Sequence, residues 1–177
     1  MARNIEIKAR LMDPQRARAT AERIATARSG IERQRDTYFS CRSGRLKLRE
    51  IDDRAAQLIA YNRPDTTDAK ASDYRLVAIG DRESANALRE LLDAALGTLV
   101  VVEKSRDIFL YHNVRIHLDQ VTELGSFIEF EAVVGGTVDD ATAHAQVASL
   151  IEQFEIGAAD LISRSYSDML LICPPDR

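Results

Sequence analysis

Hydrophobic and polar residues alternate without interruption over residues 4–11. Ile5 and Ile7 fall on one side of an extended backbone, whereas Glu6 and Lys8 fall on the other. This alternation predicts a strand with one buried face. Similar patterns predict further strands at roughly 32–40, 44–51, 56–63, 72–79, 99–111, 114–121 and 126–134.

Other segments follow the period of an α-helix. Asp13 followed by proline marks the start of the first helix, and Gly30 marks its end. The predicted helices cover roughly 14–28, 81–96 and 139–154, with a short turn near 157–161 and a frayed tail at 173–177. The later two helices have one apolar face each, which needs an apolar surface to pack against.

The order of these elements favours an α+β fold built on an antiparallel sheet. Strands and helices do not alternate regularly, and turn signals such as Asp52-Asp53 and His112-Asn113 leave short loops between strands. Because short loops join antiparallel neighbours, we expect an eight-stranded sheet that curls or closes, with the helices packed outside. The chain 1–177 is expected to form a single domain.

The composition removes several classes of function. The net charge is -4, whereas proteins that bind nucleic acid or anionic membranes usually carry a basic excess. Apolar runs such as residues 99–102 are far shorter than the roughly 20 residues that cross a bilayer. Cys41 and Cys173 have no metal-ligand spacing and are expected to be plain thiols. We therefore expect a cytoplasmic protein that binds neither nucleic acid nor a membrane.

Charged residues occupy the polar face of several predicted strands. A solvent-exposed face accounts for any one of these rows taken alone. Together they are less ordinary, because the rows of a single sign, two basic and one acidic, fall on different strands. The rows are Glu6 and Lys8; Arg45, Lys47 and Arg49; Lys104 and Arg106; Arg115, His117 and Asp119; and Glu129 and Glu131. If the helices cover the aliphatic face, these charges line the inside of the curled sheet.

A charged interior needs counter-ions, since the burial of unpaired charge is costly. Arginine and lysine suit phosphate oxygens. The acidic residues would repel phosphate unless a divalent cation lay between them. The rows therefore predict a polyphosphate bound together with Mg²⁺ or Mn²⁺.

Several motifs, taken in order, resemble one family. Asn4-Ile-Glu-Ile-Lys8 resembles the Glu-x-Glu-x-Lys signature of CYTH proteins. These proteins, also called triphosphate tunnel metalloenzymes, include class IV adenylyl cyclases, thiamine triphosphatases and inorganic triphosphatases. Further motifs of this family are Arg45-Leu-Lys47-Leu-Arg49, Tyr61-Asn-Arg63-Pro, Lys70 to Arg75, Glu103-Lys104-Ser-Arg106, Arg115 with Asp119, Gly125 to Glu131 and Ser165-Tyr166-Ser-Asp168.

The resemblance implies an eight-stranded antiparallel tunnel that binds a triphosphate through basic side chains and a divalent metal through carboxylates. The expected phosphate-binding residues are Lys47, Arg49, Arg63, Arg75, Lys104, Arg106 and Arg115. The expected metal ligands are Glu6, Asp119, Glu129 and Glu131, and the expected catalytic residues are Glu6, Lys8, Glu129 and Glu131. One position departs from the signature, because Asn4 stands where the family has its first Glu. An amide oxygen can still bind a hard cation.

The reaction is the part that the sequence leaves most open. The expected function is that of a class IV adenylyl cyclase, in which ATP gives cyclic AMP and pyrophosphate with Mg²⁺ or Mn²⁺ as the cofactor. The alternatives are an inorganic or organic triphosphatase and a non-catalytic module that binds polyphosphate or a nucleotide. A triphosphate is the expected small-molecule partner, and a homodimer is left open.

Two local questions also stay open. His117 fits either a proton carrier or a hydrogen-bonded histidine. Residues 33–38 alternate in a way that allows two choices of inward-facing side chains. These are Arg33 and Arg35, or Gln34, Asp36 and Tyr38.

Overall fold

Eight antiparallel strands close into a barrel in the computed structural model, which describes residues 2–52 and 54–172. The strands are β1 (Ala2–Arg10), β2 (Ala27–Phe39), β3 (Arg45–Ile51), β4 (Ala55–Asn62), β5 (Lys70–Ile79), β6 (Thr98–Tyr111), β7 (Val114–Val121) and β8 (Gly125–Val134). Around the barrel they follow the order β1-β5-β4-β3-β2-β6-β7-β8, and β8 pairs with β1 to close it. The predicted fold class and strand number are confirmed.

Helices cover the outside of this barrel. They are α1 (Pro14–Ile24), α2 (Arg82–Leu96), α3 (Asp140–Gln153) and α4 (Tyr166–Ile172). Ile5 and Ile7 of β1 are buried in the same apolar cluster as Leu150 of α3. Burial of each such side chain contributes about 1.5–3 kcal/mol, and a slip of one residue would turn the aliphatic side chains inward. This packing therefore fixes Glu6 and Lys8 on the inner face, as predicted.

The prediction for the first helix is wrong at its end. The sequence predicts a helix to residue 28, but α1 ends at Ile24 and β2 begins at Ala27. Gly30 lies inside β2 with a φ of 103°, beside a register shift in the pairing of β2 with β6. A bulge uses a residue that tolerates positive φ, so this glycine serves the strand and does not stop the helix.

The short helix α4 forms where the sequence analysis predicts none. The side-chain oxygen of Ser165 accepts a hydrogen bond from the backbone N–H of Asp168 at 3.1 Å. The carboxylate of Asp168 accepts one from the backbone N–H of Ser165 at 3.0 Å. This reciprocal capping box starts the helix and directs the buried Tyr166 toward the barrel interior.

Some predictions concern residues outside the described ranges. These residues are the tail 173–177, which includes Cys173, and Asp53 of a predicted turn. Cys41 is an exposed free thiol, as predicted. Among the helices in the described ranges, none is long and apolar enough to span a bilayer.

Candidate functional site

A cavity of about 300 Å³ lies inside the barrel, and every strand contributes side chains to it. Side chains alternate along a strand, so the face opposite the helices supplies the lining. The predicted site residues that line this cavity are Glu6, Lys8, Lys47, Arg49, Arg63, Lys104, Arg106, Arg115, Glu129 and Glu131. The structure therefore brings most of the predicted residues into one space.

Two of the predicted site residues, Arg75 and Asp119, do not line this cavity. Arg75 is exposed on the outer face of β5, because its neighbours Tyr74 and Leu76 take the inward positions. Asp119 is buried beside Arg106, and hydrogen bonds from other side chains engage both of its carboxylate oxygens. The exposure of Arg75 corrects the prediction that it contacts phosphate, whereas metal binding by Asp119 stays a prediction.

The structure also resolves which residues of β2 face inward. Gln34, Asp36 and Tyr38 line the cavity, whereas Arg33 and Arg35 are exposed. Pairing with β6 determines this choice, since Gln34 lies opposite Lys104 in the register. Alternation alone cannot decide it, because both sets of side chains are polar.

Asp36 lies at the centre of a basic cluster made by Lys47, Arg49 and Lys104. It accepts hydrogen bonds from Lys47 at 2.9 Å and from Lys104 at 2.8 Å. Arg49 donates to both carboxylate oxygens, at 2.7 and 2.8 Å. Burial acts to raise the pKa of Asp36, but the three cations together hold it well below its usual range. One carboxylate faces three basic groups, so the cluster attracts further anions.

Lys104 has the most perturbed environment of this basic cluster. Burial lowers the pKa of its ammonium group to about 7, although Asp36 acts in the opposite direction. Repulsion from Arg49 and Arg106 adds to the lowering. A bound anion would favour the charged form of Lys104, because it would offset this repulsion.

Arg106 connects the basic cluster to the acidic part of the cavity. Its guanidinium donates to both oxygens of Asp119, at 2.7 and 2.6 Å, and to Glu129 at 2.7 Å. The hydroxyl of Tyr166 donates to Asp119 at 2.7 Å. A bidentate pair of this kind fixes the plane of the guanidinium. Asp119 and Tyr166 therefore position Arg106.

Glu6, Glu129 and Glu131 form the acidic part of the cavity. In the register of β1 and β8, Glu6 lies opposite Glu131, and Lys8 lies opposite Glu129. Burial raises the pKa of Glu6, and repulsion from Glu129 raises it further. Arg63 opposes this rise through a hydrogen bond of 2.8 Å to Glu6. Carboxylates crowded in this way favour a cation between them.

His117 completes a group that fits a divalent cation. One ligand atom each from His117, Glu129 and Glu131 lies within 4.8 Å of the other two. Nδ1 of His117 is buried and has no hydrogen-bond partner in the described part of the chain. Carboxylate oxygens and imidazole nitrogens are both common ligands of divalent metals. The donor set and the unpartnered nitrogen therefore fit a bound cation.

Asn4, which departs from the family signature, is buried in the cavity wall. With its amide oxygen turned toward Arg115, it accepts a hydrogen bond from that guanidinium at 3.0 Å. Its amide nitrogen then donates to the backbone carbonyl of Arg3 at 3.1 Å. Arg115 also donates to Glu131 at 3.1 Å. The oxygen of Asn4 is thus engaged by Arg115, and Asn4 is not among the residues of the group of His117, Glu129 and Glu131 that fits a cation.

Apolar side chains line another part of the same cavity, and the sequence analysis missed them. They are Ile51, Ile59, Leu76 and Ile108. Leu76 is 44% exposed, so this wall reaches the solvent. The alternation had placed only ionic rows on the inner face. A cavity with apolar and charged walls suits a ligand that has an organic part and an anionic part.

Several solved structures share this fold. The PH1012 protein from Pyrococcus horikoshii has a TM-score of 0.77 and 20% identity, over 93% of this chain and 98% of its own. A candidate adenylate cyclase from Vibrio parahaemolyticus has a TM-score of 0.77 and 21% identity, over 94% and 97% of the two chains. HpAC1 from Hippeastrum, a candidate adenylyl cyclase described as having a dominant triphosphatase activity, has a TM-score of 0.63 and 14% identity, over 96% and 95%. At these identities, the likeness establishes the fold.

The sequence itself gives the family. The model of the CYTH domain matches residues 2–166. None of the curated proteins matches the sequence. The matched range contains all eight strands and every described residue that lines the cavity. The chain therefore belongs to the CYTH domain family.

Proposed function

We propose that this protein is a divalent-cation-dependent enzyme that converts ATP to cyclic AMP and pyrophosphate inside the barrel. The proposal rests on one observation: basic side chains and crowded carboxylates line the same cavity. Neither group is stable alone in a low-dielectric interior, and a triphosphate with its cation would neutralise both. Membership of the CYTH family supports the same class of substrate.

Basic side chains would bind the phosphate chain. These are Lys47, Arg49, Arg63, Lys104, Arg106 and Arg115. Each is held by at least one carboxylate, so its position is set before the substrate arrives. Side chains that are oriented in advance lose little conformational entropy on binding, which strengthens the contact with phosphate oxygens.

Glu129 and Glu131 would hold the cation, Mg²⁺ or Mn²⁺, with Glu6 opposite Glu131 in the adjoining strand. When bound, a divalent cation supplies positive charge at the phosphate oxygens as negative charge develops there. Lys8 lies 3.4 Å from Glu129 and 4.0 Å from the centre of the Tyr166 ring. Its position fits contact with the carboxylate and the phosphate chain together.

The cyclase reaction requires a nucleoside whose ribose lies beside the α-phosphate. The 3′-oxygen would form a bond to the α-phosphorus and lose its proton, while the bond from that phosphorus to the bridging oxygen breaks and pyrophosphate leaves. The apolar wall that includes Ile51, Leu76 and Ile108 gives the organic part of ATP a surface to contact. The basic side chains would hold the phosphates in line for this displacement.

A triphosphatase is the second candidate, and the size of the cavity favours it. A volume of about 300 Å³ lies at the lower end of the range for ligand pockets, which runs from about 300 to 1,000 Å³. An inorganic tripolyphosphate would occupy the charged part without an organic group. Water would then be the nucleophile, and orthophosphate would be released.

The test is a panel of ATP, thiamine triphosphate and tripolyphosphate, each incubated with Mg²⁺ or Mn²⁺, with the products separated. Cyclic AMP and pyrophosphate from ATP would support the cyclase. Orthophosphate would move the assignment to the triphosphatase. Binding of all three compounds without any product would overturn the enzymatic proposal in favour of a binding module.

A further inference from the structure

His117 differs from the other two histidines of the chain in its surroundings. His112 and His144 are exposed, whereas His117 is 3% exposed and faces the cavity from β7. Its Nδ1 has no hydrogen-bond partner among the described residues. A buried polar atom without a partner is costly and is uncommon in folded proteins. A bound ligand would give this buried nitrogen the partner that it lacks among the described residues.

The two nearby carboxylates are too far from Nδ1 of His117 for a hydrogen bond but close enough to share an ion with it. Nδ1 lies 3.7 Å from Glu129 and 4.0 Å from Glu131. Hydrogen bonds between nitrogen and oxygen are shorter than about 3.2 Å. Two atoms that bind one ion at about 2.1–2.2 Å lie no more than about 4.4 Å apart. Both distances fall within that limit.

We propose that Nδ1 of His117 is a ligand of the divalent cation, together with Glu129 and Glu131, and that this nitrogen selects Mn²⁺ or Co²⁺ over Mg²⁺. The inference rests on the proposed function, because the cation is the one that this function requires. Imidazole binds first-row transition ions well, whereas Mg²⁺ prefers oxygen ligands. The sequence predicted only carboxylates here, and Asn4 has replaced one carboxylate of the family signature.

Neighbouring arginines orient the two carboxylates around His117. Arg106 donates at 2.7 Å to Oε2 of Glu129, which is also the oxygen nearest to His117. Arg115 donates to Oε2 of Glu131 at 3.1 Å, whereas Oε1 is the oxygen nearest to His117. Hydrogen bonds of this kind fix ligating carboxylates and are as much a part of a metal site as the ligands themselves. The arrangement holds the three donor groups on one side of the cavity.

The first test uses Mn²⁺ alone with tag-free protein and pulsed electron paramagnetic resonance. The wild-type protein should show the hyperfine coupling of a directly bound imidazole nitrogen. His117→Gln should lose that coupling, while His144→Ala, which removes an exposed histidine, should keep it. Bound Mn²⁺ without nitrogen coupling in the wild-type protein would overturn the inference.

The second test asks whether the metal preference follows the ligand. His117→Asp gives the site three oxygen donors, so the ratio of Mn²⁺ affinity to Mg²⁺ affinity, measured by calorimetry, should fall at least about tenfold. The melting temperatures of all variants show whether they are folded. An unchanged ratio in the folded His117→Asp variant would contradict a ligand role, and an imidazolium that merely pairs with the carboxylates would give that result.

The inference and the proposed function fail in different ways. Nitrogen-coupled Mn²⁺ in a protein that turns over no triphosphate would support the inference and overturn the function. Triphosphate turnover with Mn²⁺ bound by oxygen alone would support the function and overturn the inference. Failure of Mn²⁺ to bind would overturn the inference, and failure of both Mn²⁺ and Mg²⁺ to bind would overturn the function as well.

Discussion

Lys104 donates a hydrogen bond to Asp36 at 2.8 Å across the pairing of β2 with β6, and both side chains are almost fully buried. A buried ion pair is weak evidence for stability, because the loss of hydration offsets much of the attraction. Here the carboxylate is shared with Lys47 and Arg49. Asp36 thus holds three cations together in a position that an anionic ligand can use.

Asp36→Asn should destabilise the ligand-free protein by about 3–5 kcal/mol, because three buried cations lose their counter-ion. Tripolyphosphate should raise the melting temperature of this variant by more than that of the wild-type protein, since the ligand supplies the missing negative charge. Asp65→Asn removes a half-exposed partner of Arg45 and is the matched control, with an expected cost below about 1 kcal/mol. A smaller ligand effect in Asp36→Asn than in the wild type would place the phosphates away from this cluster.

The depressed pKa of Lys104, about 7 against a usual 10.5, predicts a pH dependence of stability. Between these two values the unfolded chain binds more protons than the folded chain, so the free energy of unfolding should rise with pH. The slope from Lys104 should not exceed about 1.4 kcal/mol per pH unit. Denaturant unfolding between about pH 7 and 9.5 measures it, before the tyrosines titrate.

Lys104→Met should remove its share of this slope. Lys70 has a pKa lowered to about 8 by burial and acts in the same direction from that pH, so Lys70→Met is the companion variant. Equal slopes in the wild-type and Lys104→Met proteins below about pH 8 would show that Lys104 keeps its proton in the folded state.

Arg115→Ala should weaken the binding of ATP and tripolyphosphate alike. A lost charge-assisted contact costs about 1.5–3 kcal/mol, which is roughly tenfold to hundredfold in affinity. Arg75→Ala removes an arginine from the outer face of β5 and should leave both affinities unchanged. Calorimetry with each ligand measures these effects. Equal affinities in Arg115→Ala and Arg75→Ala would remove Arg115 from the phosphate site.

Glu129→Gln combined with Glu131→Gln should abolish cation-dependent turnover and lower the affinity for Mn²⁺ at least about tenfold. The reason is that both carboxylate ligands lose their charge while their shape is kept. Glu103→Gln neutralises an exposed residue of β6 and should behave like the wild-type protein. Full turnover by the double variant in excess chelator would rule out this metal site.

The pattern of the sequence was sufficient for the fold and for most of the cavity wall. Ile5 and Glu6 illustrate why, since one face of β1 packs against α3 and the other must face inward. Where both faces of a strand are polar, as around Asp36, only the pairing with a distant strand decides, and alternation carries no such information. Gly30 was misread because positive φ serves bulges as well as helix ends.

The sequence also does not show which side chains contact one another inside the barrel. The alternation of side chains correctly places Asp119 on the inner face of β7. Its contacts with Arg106 and Tyr166, which the alternation does not show, make it a residue that positions Arg106. Tyr166 arrives from α4, which is distant in the chain. The environment of His117 likewise depends on β8. Such contacts follow from packing in three dimensions and have no local signal.

The closure of the barrel also determines the order in which its strand pairings can form during synthesis. β1 pairs with β5 on one side and β8 on the other, so a ribosome makes it long before its second partner. Until β8 emerges, Glu6 and Lys8 lack the strand that carries Glu129 and Glu131. Contacts this distant in sequence form slowly, and the nascent chain holds β1 unpaired on that edge meanwhile. The proposed metal ligands His117, Glu129 and Glu131 belong to the neighbouring strands β7 and β8 and can meet before closure, whereas Glu6 joins them only when β8 pairs with β1.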